Sequence, residues 1–337
     1  MISTRSGGTR ISALAEQAYS GRVDAEATWS ERLELDHDDL RAALDWTGKN
    51  DERLALELAG ALGWFWLSHG HLVEGRRRFV DALAASTDRN RALARALTAT
   101  GALAGRLGDP EGGRAQLEDA IGLWRELGDE HELASALDSL GWLLVYDLGD
   151  DSGALQAFEQ SLALRRILGD GLGEARSLVG ACQVLVALGE TERAESTSRE
   201  LLGRPDSDAR TEHFAFHFLA DCALIRGDFT EAETRYRDSL RAALPLGDVI
   251  ETSFEVQGIA MSLAGKGEAQ RGLVLAAAVE ALWESLGTWM SVSFWDALLE
   301  QHIGAAREQL GPSADAARAK GRALKFEDAV ALALDQE

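Results

Sequence analysis

Apolar residues along this chain recur three and four positions apart, in runs long enough for helices. No stretch of strict apolar–polar alternation competes with them, so the pattern predicts an all-α chain. Short turns of one kind separate the runs. Leu-Gly-Asp stands at 107–109, 127–129, 148–150, 168–170 and 246–248, with Leu-Gly-Glu at 188–190 and Arg-Gly-Asp at 226–228. Gly in this place closes one helix in the left-handed conformation, and the acidic residue after it caps the next. The turns come about every twenty residues, so two helices make a unit of about forty.

Within the units, small residues recur in pairs. The first members are Gly63, Gly101, Gly141, Cys182, Ala220 and Ala260, and the second members are Gly75, Gly113, Ala154, Ala194, Ala232 and Gly272. A small residue on each of two facing helices lets their backbones approach closely. Four positions after the second member stand Phe79, Leu117, Phe158 and Tyr236, with Ser198 and Ala276 in the looser fourth and sixth units. The expectation is an all-α, right-handed α-solenoid of six helix hairpins at about 52–90, 91–130, 131–170, 171–208, 209–248 and 249–287. Residues 1–9 read as disordered. Residues 10–51 read as capping helices, one at Ile11–Tyr19 and one from about Glu26 to Trp46, with the acidic run 36–39 solvated or capping a break. Residues 288–337 break the period and read as C-terminal capping helices, at Ala297–Leu310 and Phe326–Leu334.

Composition narrows the functional classes. The 337 residues are 46% hydrophobic and 27% charged, which suits a folded, soluble chain. A net charge of −22 repels phosphate backbones, so no direct nucleic-acid partner is expected. Solubility accounts for most of that charge, and a basic partner is the sharper alternative. Cys182 and Cys222 lack metal or redox spacing and read as buried thiols in a reducing, cytoplasmic setting. Met1–Arg10 has no apolar signal-peptide core. Leu58–Leu67, the longest apolar stretch, is too short to span a bilayer, so no membrane partner is expected.

The period, the small residues and the Ala-x-x-x-Phe/Tyr step together resemble tetratricopeptide repeats, in a long form nearer forty residues than thirty-four. The flanks resemble something narrower. Leu35–Trp46 (LDHDDLRAALDW), Leu58–Trp66 with Glu74–Gly75–Arg76, and Gly321–Val330 (GRALKFEDAV) are similar to segments of actinobacterial signal-transducing ATPases with LuxR-type or related output domains. Those proteins usually have Asn at the place of Asp39. The resemblance implies a sensor or arm that receives an inducer or partner and controls an ATPase. The chain shows no phosphate-binding loop, since Gly48–Lys49 and Gly265–Lys266 lack the upstream Gly and the following Ser or Thr, and no basic helix-turn-helix segment. It therefore reads as a stand-alone derivative or a piece of a longer regulator.

In repeats of this type the first helix of each hairpin lines a concave groove. The candidate groove residues lie one or two turns before its small residue, directly after it, and a turn further on. They are Trp64, Arg95, Arg106, Asp138, Trp142, Tyr146, Arg176, Gln183, Phe214, His217, Asp221, Phe254, Gln257 and Met261. Aromatic and Arg side chains on a groove are the usual anchors of a peptide or small effector. The plain alternative is that the aromatics pack between repeats and the charged residues form a solvated face. His213, His217 and Asp221 share one helical face, but nothing in the sequence points to a further ligand, and His69 and His71 read as polar residues around a bend. No metal, cofactor or catalytic residue is expected. The first functional reading is a non-catalytic interaction or sensor module for a protein, peptide or small effector. A constitutive scaffold that holds partners together, or a self-association protein that forms a homodimer through aromatics of 283–295, is the alternative, and a metal-dependent hydrolase the remote one.

Overall fold

A computed structural model describes residues 5–68, 71–84, 89–205, 207–287 and 292–335. These residues are helical with short turns, and no strand occurs among them. The chain divides into two compact units, Met1–Asp170 and Gly171–Glu337.

The first unit opens with α1 (Arg5–Leu35) and α2 (His37–Asn50). Three hairpins follow: α3 (Glu52–Ser68) with α4 (Leu72–Ala84), α5 (Arg91–Ala104) with α6 (Pro110–Leu127), and α7 (Glu130–Leu143) with α8 (Asp151–Leu168). The second unit holds α9 (Gly171–Ala187) with α10 (Thr191–Leu202), α11 (Ala209–Ile225) with α12 (Phe229–Ala243), and α13 (Val249–Gly265) with α14 (Ala269–Leu286). It ends with α15 (Ser293–Leu299), α16 (Ala305–Leu310), α17 (Ala314–Arg322) and α18 (Phe326–Leu334).

The turn chemistry produces these boundaries. Gly128 ends α6 at φ +67°, a conformation that side chains bearing a Cβ rarely adopt, and the Asp129 carboxylate then accepts from the Glu132 amide to start α7. Asp109, Asp150, Asp228 and Asp248 cap their helices in the same way. Glu190 and Glu268 make no such side-chain cap.

Three hairpins close on their paired small residues, whereas in the first Gly63 faces Ala99 of α5 and Gly75 faces the indole of Trp66. A methyl group at Gly101 would lie 2.8 Å from the Gly113 carbonyl oxygen, and one at Gly113 the same distance from that of Gly101. The Cys182 thiol rests on the Ala194 carbonyl at 3.9 Å, and a methyl at Gly272 would meet the Ala260 carbonyl at 2.6 Å. Gly141 faces the ring of Phe158 instead. In the first unit the first helices stack α3 on α5 and α5 on α7; in the second they stack α9 on α11 and α11 on α13. This regular neighbour-to-neighbour packing is that of an α-solenoid. Buried indoles are satisfied across the hairpins: Trp124 Nε1 donates to Thr98 Oγ1 at 3.1 Å, and Trp283 Nε1 to Ser253 Oγ at 2.8 Å. Cys182 and Cys222 are buried free thiols, pushed up to about 12 by that burial.

The ends depart from the sequence reading. Residues 5–9 are helical rather than disordered, and a single α1 replaces the short helix and the start of the next; Met1–Thr4 lie outside the described residues. Gly8 and Gly21 weaken helix propensity, but their missing side chains leave room for Trp46 and Trp29, and packing decides. The break falls at Asp36. At the other end α17 was not foreseen. It docks on α14 where Gly321 meets the Val274 carbonyl so closely that no Cβ would fit. The final helix, α18, keeps the expected bounds, and Arg237 holds its end by donating to the carbonyls of Ala333 (2.8 Å) and Asp335 (2.9 Å).

Candidate functional site

Three of the groove candidates form a line in the first unit. Asp138, Trp142 and Tyr146 are spaced four apart, so they share a face of α7 and of the π-turn Leu144–Leu148 that continues it. The Trp142 and Tyr146 rings stack nearly parallel, 7° apart with centroids at 5.6 Å, and Trp142 stands edge-on to the buried Phe158 at 5.0 Å. Trp142 is half-buried, while Tyr146 is 55% exposed. Asp138 is held by the buried Arg165, whose Nη2 donates to it at 2.8 Å and whose Nη1 reaches Asp170 at 2.5 Å. The result is a pre-formed aromatic shelf beside a fixed charge pair.

Arg95, on α5, is covered from the side. Its guanidinium lies over the Tyr19 ring at 4.0 Å and donates to Glu16 at 2.7 Å, both residues of α1. The Tyr19 hydroxyl in turn donates to Glu132 at 2.7 Å. Trp64 is half-buried on the N-terminal core, so it serves packing more than recognition. Arg106 and, in the second unit, Arg176 are exposed; Gln183 and Phe214 are partly buried, with Phe214 stacked on Phe218.

In the second unit the structure gathers His217, Phe254 and Gln257 around Trp295 of α15. The indole stacks over His217 at 5.5 Å, meets Phe254 at 5.7 Å and donates to Gln257 Oε1 at 2.9 Å. These positions are therefore occupied by the chain itself. Asp221, Gln257 and Met261 are buried, and Met261 belongs to the apolar core; none of the three presents a free surface. The sequence reading placed them on a groove because it followed first-helix spacing and did not foresee the C-terminal cover. The suggestion of exposed aromatics at 283–295 is corrected for Trp283 and Trp295, which are buried; Phe294 is half-buried, and Trp289 lies outside the described residues.

Beneath Trp295 lies a buried ionic cluster. His217 Nδ1 bonds Glu255 Oε1 at 2.7 Å, and its Nε2 is 3.4 Å from Asp221 Oδ2. The Tyr236 hydroxyl donates to Asp221 Oδ1 at 2.6 Å. His213 Nδ1 pairs with Ser239 Oγ at 2.8 Å. Burial alone would drive the His217 imidazole down, but Asp221 and Glu255 outweigh it and raise it to about 10. Burial raises Asp221 to about 6 against the pull of His217 and Tyr236. Glu255 was missed by the sequence reading, which had no local signal for a fully buried carboxylate on α13.

A sequence profile of the tetratricopeptide repeat matches residues 92–167, which span α5 to α8 and include the aromatic shelf. Residues 92–167 carry tetratricopeptide repeats. No curated protein matches it in sequence. Among solved structures, this repeat protein is similar to the Rap conjugation gene regulator of plasmid pLS20, solved in complex with the Phr* peptide, at TM-score 0.50 and 14% identity over 92% of this chain and 97% of that one. It is also similar to PilF of Pseudomonas aeruginosa, at TM-score 0.47 and 17% identity over 73% and 96% of the two chains. The first likeness extends the repeat fold to most of the chain. None of the described helices is long and apolar enough to cross a membrane.

Proposed function

We propose that the chain is a non-catalytic repeat module that binds a peptide segment of a partner protein, or a small effector, through first-helix faces, and that it serves as the regulatory part of a transcriptional regulator or signalling ATPase in the cytoplasm. The observation that carries this reading is the stacked Trp142–Tyr146 pair: a rigid aromatic shelf that the fold builds yet leaves half open to solvent. Aromatic pairs of this kind give large contact area at small entropic cost. The tetratricopeptide match over 92–167 favours protein binding as the general role, and the Rap regulator, solved with a peptide, is a fold-level parallel. Arg106 and Arg176 remain candidate contacts because they are exposed. The flanking resemblances favour the regulatory setting.

Selection of displayed random peptides on the full chain tests the reading. Convergent peptides that compete with one another for one face support it. Failure to enrich any peptide above a mock surface counts against it. Self-association has less in its favour now that Trp283 and Trp295 are buried; a strictly monomeric chain in concentration-series light scattering would remove it.

A further inference from the structure

The first unit gathers two imidazoles and a carboxylate that the proposed function does not use. His71 stands just before α4, His37 is the first residue of α2, and Glu34 lies in the last turn of α1. One donor atom from each lies within 4.8 Å of the others. His71 Nε2 is 3.1 Å from Glu34 Oε2, and His37 Nδ1 is 3.9 Å from Glu34 Oε1. The two rings tilt toward each other with centroids 4.3 Å apart.

Bonds of about 2.0–2.1 Å to a tetrahedral ion place ligand atoms roughly 3.3 Å apart, so these side chains need only small rotations to converge. His37 is buried against Phe65, and its Nε2 has no hydrogen-bond partner. A buried polar nitrogen left unpaired is costly unless something else engages the ring. Glu74 Oε2 lies 3.5 Å from that Nε2, held by Arg41 at 2.8 Å. Closed by a few tenths of an ångström, that contact becomes the hydrogen bond by which a carboxylate orients a metal-bound imidazole through its second nitrogen.

We propose that Glu34, His37 and His71 bind a divalent transition ion of the zinc class, His37 through Nδ1 with Glu74 orienting its ring. Two imidazoles and one carboxylate suit such an ion better than magnesium or calcium, which favour all-oxygen sets. Glu34 is half-exposed, so an ion can reach the three side chains from solvent. Bound there, the ion ties α1 to α2 and to the start of α4. The site lies outside the aromatic shelf and stands or falls independently of it.

Zinc titrated into the full chain at pH 7.5, against a chromophoric chelator, tests the site. The expected result is one tight equivalent, no competition by magnesium or calcium, and an affinity at least tenfold weaker in His71→Gln and in Glu34→Gln. Thermal unfolding should shift upward with zinc in the wild type and not in the variants. Circular dichroism checks their folding, and Glu34→Gln, altering a half-exposed side chain, decides the matter if His71→Gln misfolds. The same stoichiometry and affinity in the Glu34→Gln variant, or no zinc binding in the wild type, overturns the proposal.

Discussion

Trp295 donates its indole N–H to the side-chain oxygen of Gln257 at 2.9 Å, across an interval of 38 residues. Through that bond and its stack on His217, α15 covers the first-helix positions of α11 and α13. Trp295→Ala removes a buried indole and leaves the Gln257 oxygen unpaired. The expected loss is about 3–5 kcal/mol, seen as a lower midpoint in urea unfolding, while Trp295→Phe should cost roughly half as much because the stack survives. An unchanged midpoint for Trp295→Ala would show that α15 does not hold this position.

His217 makes stability depend on alkaline pH. Its folded pKa is about 10 against an ordinary 6.5, so the folded state holds more protons between those values. The stabilisation is fully present below pH 6.5 and is lost as pH rises through about 10. Asp221 acts in a separate window: its ionisation is penalised in the folded state, and that loss develops between about pH 3.8 and 6. Between pH 6.5 and 8 the decline belongs to His217, below the range in which Cys182 and Cys222, raised to about 12 in the folded state, ionise in the unfolded chain. The stability of wild type from urea unfolding should fall over this range by about 1–2 kcal/mol, and that of His217→Gln should stay flat.

Gly101 and Gly113 set the closeness of α5 and α6. A methyl at Gly101 would meet Leu117 Cγ at 2.5 Å as well as the Gly113 carbonyl. Gly101→Ala should therefore destabilise by about 1–3 kcal/mol through overpacking, although Ala favours helix intrinsically. Gly122, whose surroundings are open, is the control: Gly122→Ala should be neutral or stabilising. Equal effects at the two positions would contradict the close-approach account.

These contrasts explain what the chain discloses in its sequence. Turns such as Gly128–Asp129 and pairs such as Gly101–Gly113 are local or periodic, so pattern alone locates them, along with the bounds of α18. The length of α1 was hidden because Gly8 and Gly21 argue against a helix until Trp46 and Trp29 are placed beside them. Trp142 and Tyr146 were found because i and i+4 spacing puts them on one face. Trp295 over His217, Glu255 under it, and His71 beside His37 are contacts between distant segments with no repeat to announce them. The same long-range cover accounts for the burial of Gln257, while Asp221 is enclosed by Tyr236 and His217 and Met261 by the apolar core.

The central claim is that the Trp142–Tyr146 shelf binds. Its most direct test is the affinity of a selected peptide for wild type and for the Trp142→Ala/Tyr146→Ala double variant, with circular dichroism confirming that the variant stays folded. The account predicts that the variant binds at least tenfold more weakly while its helical signal is kept. Equal affinity in the folded variant would contradict it.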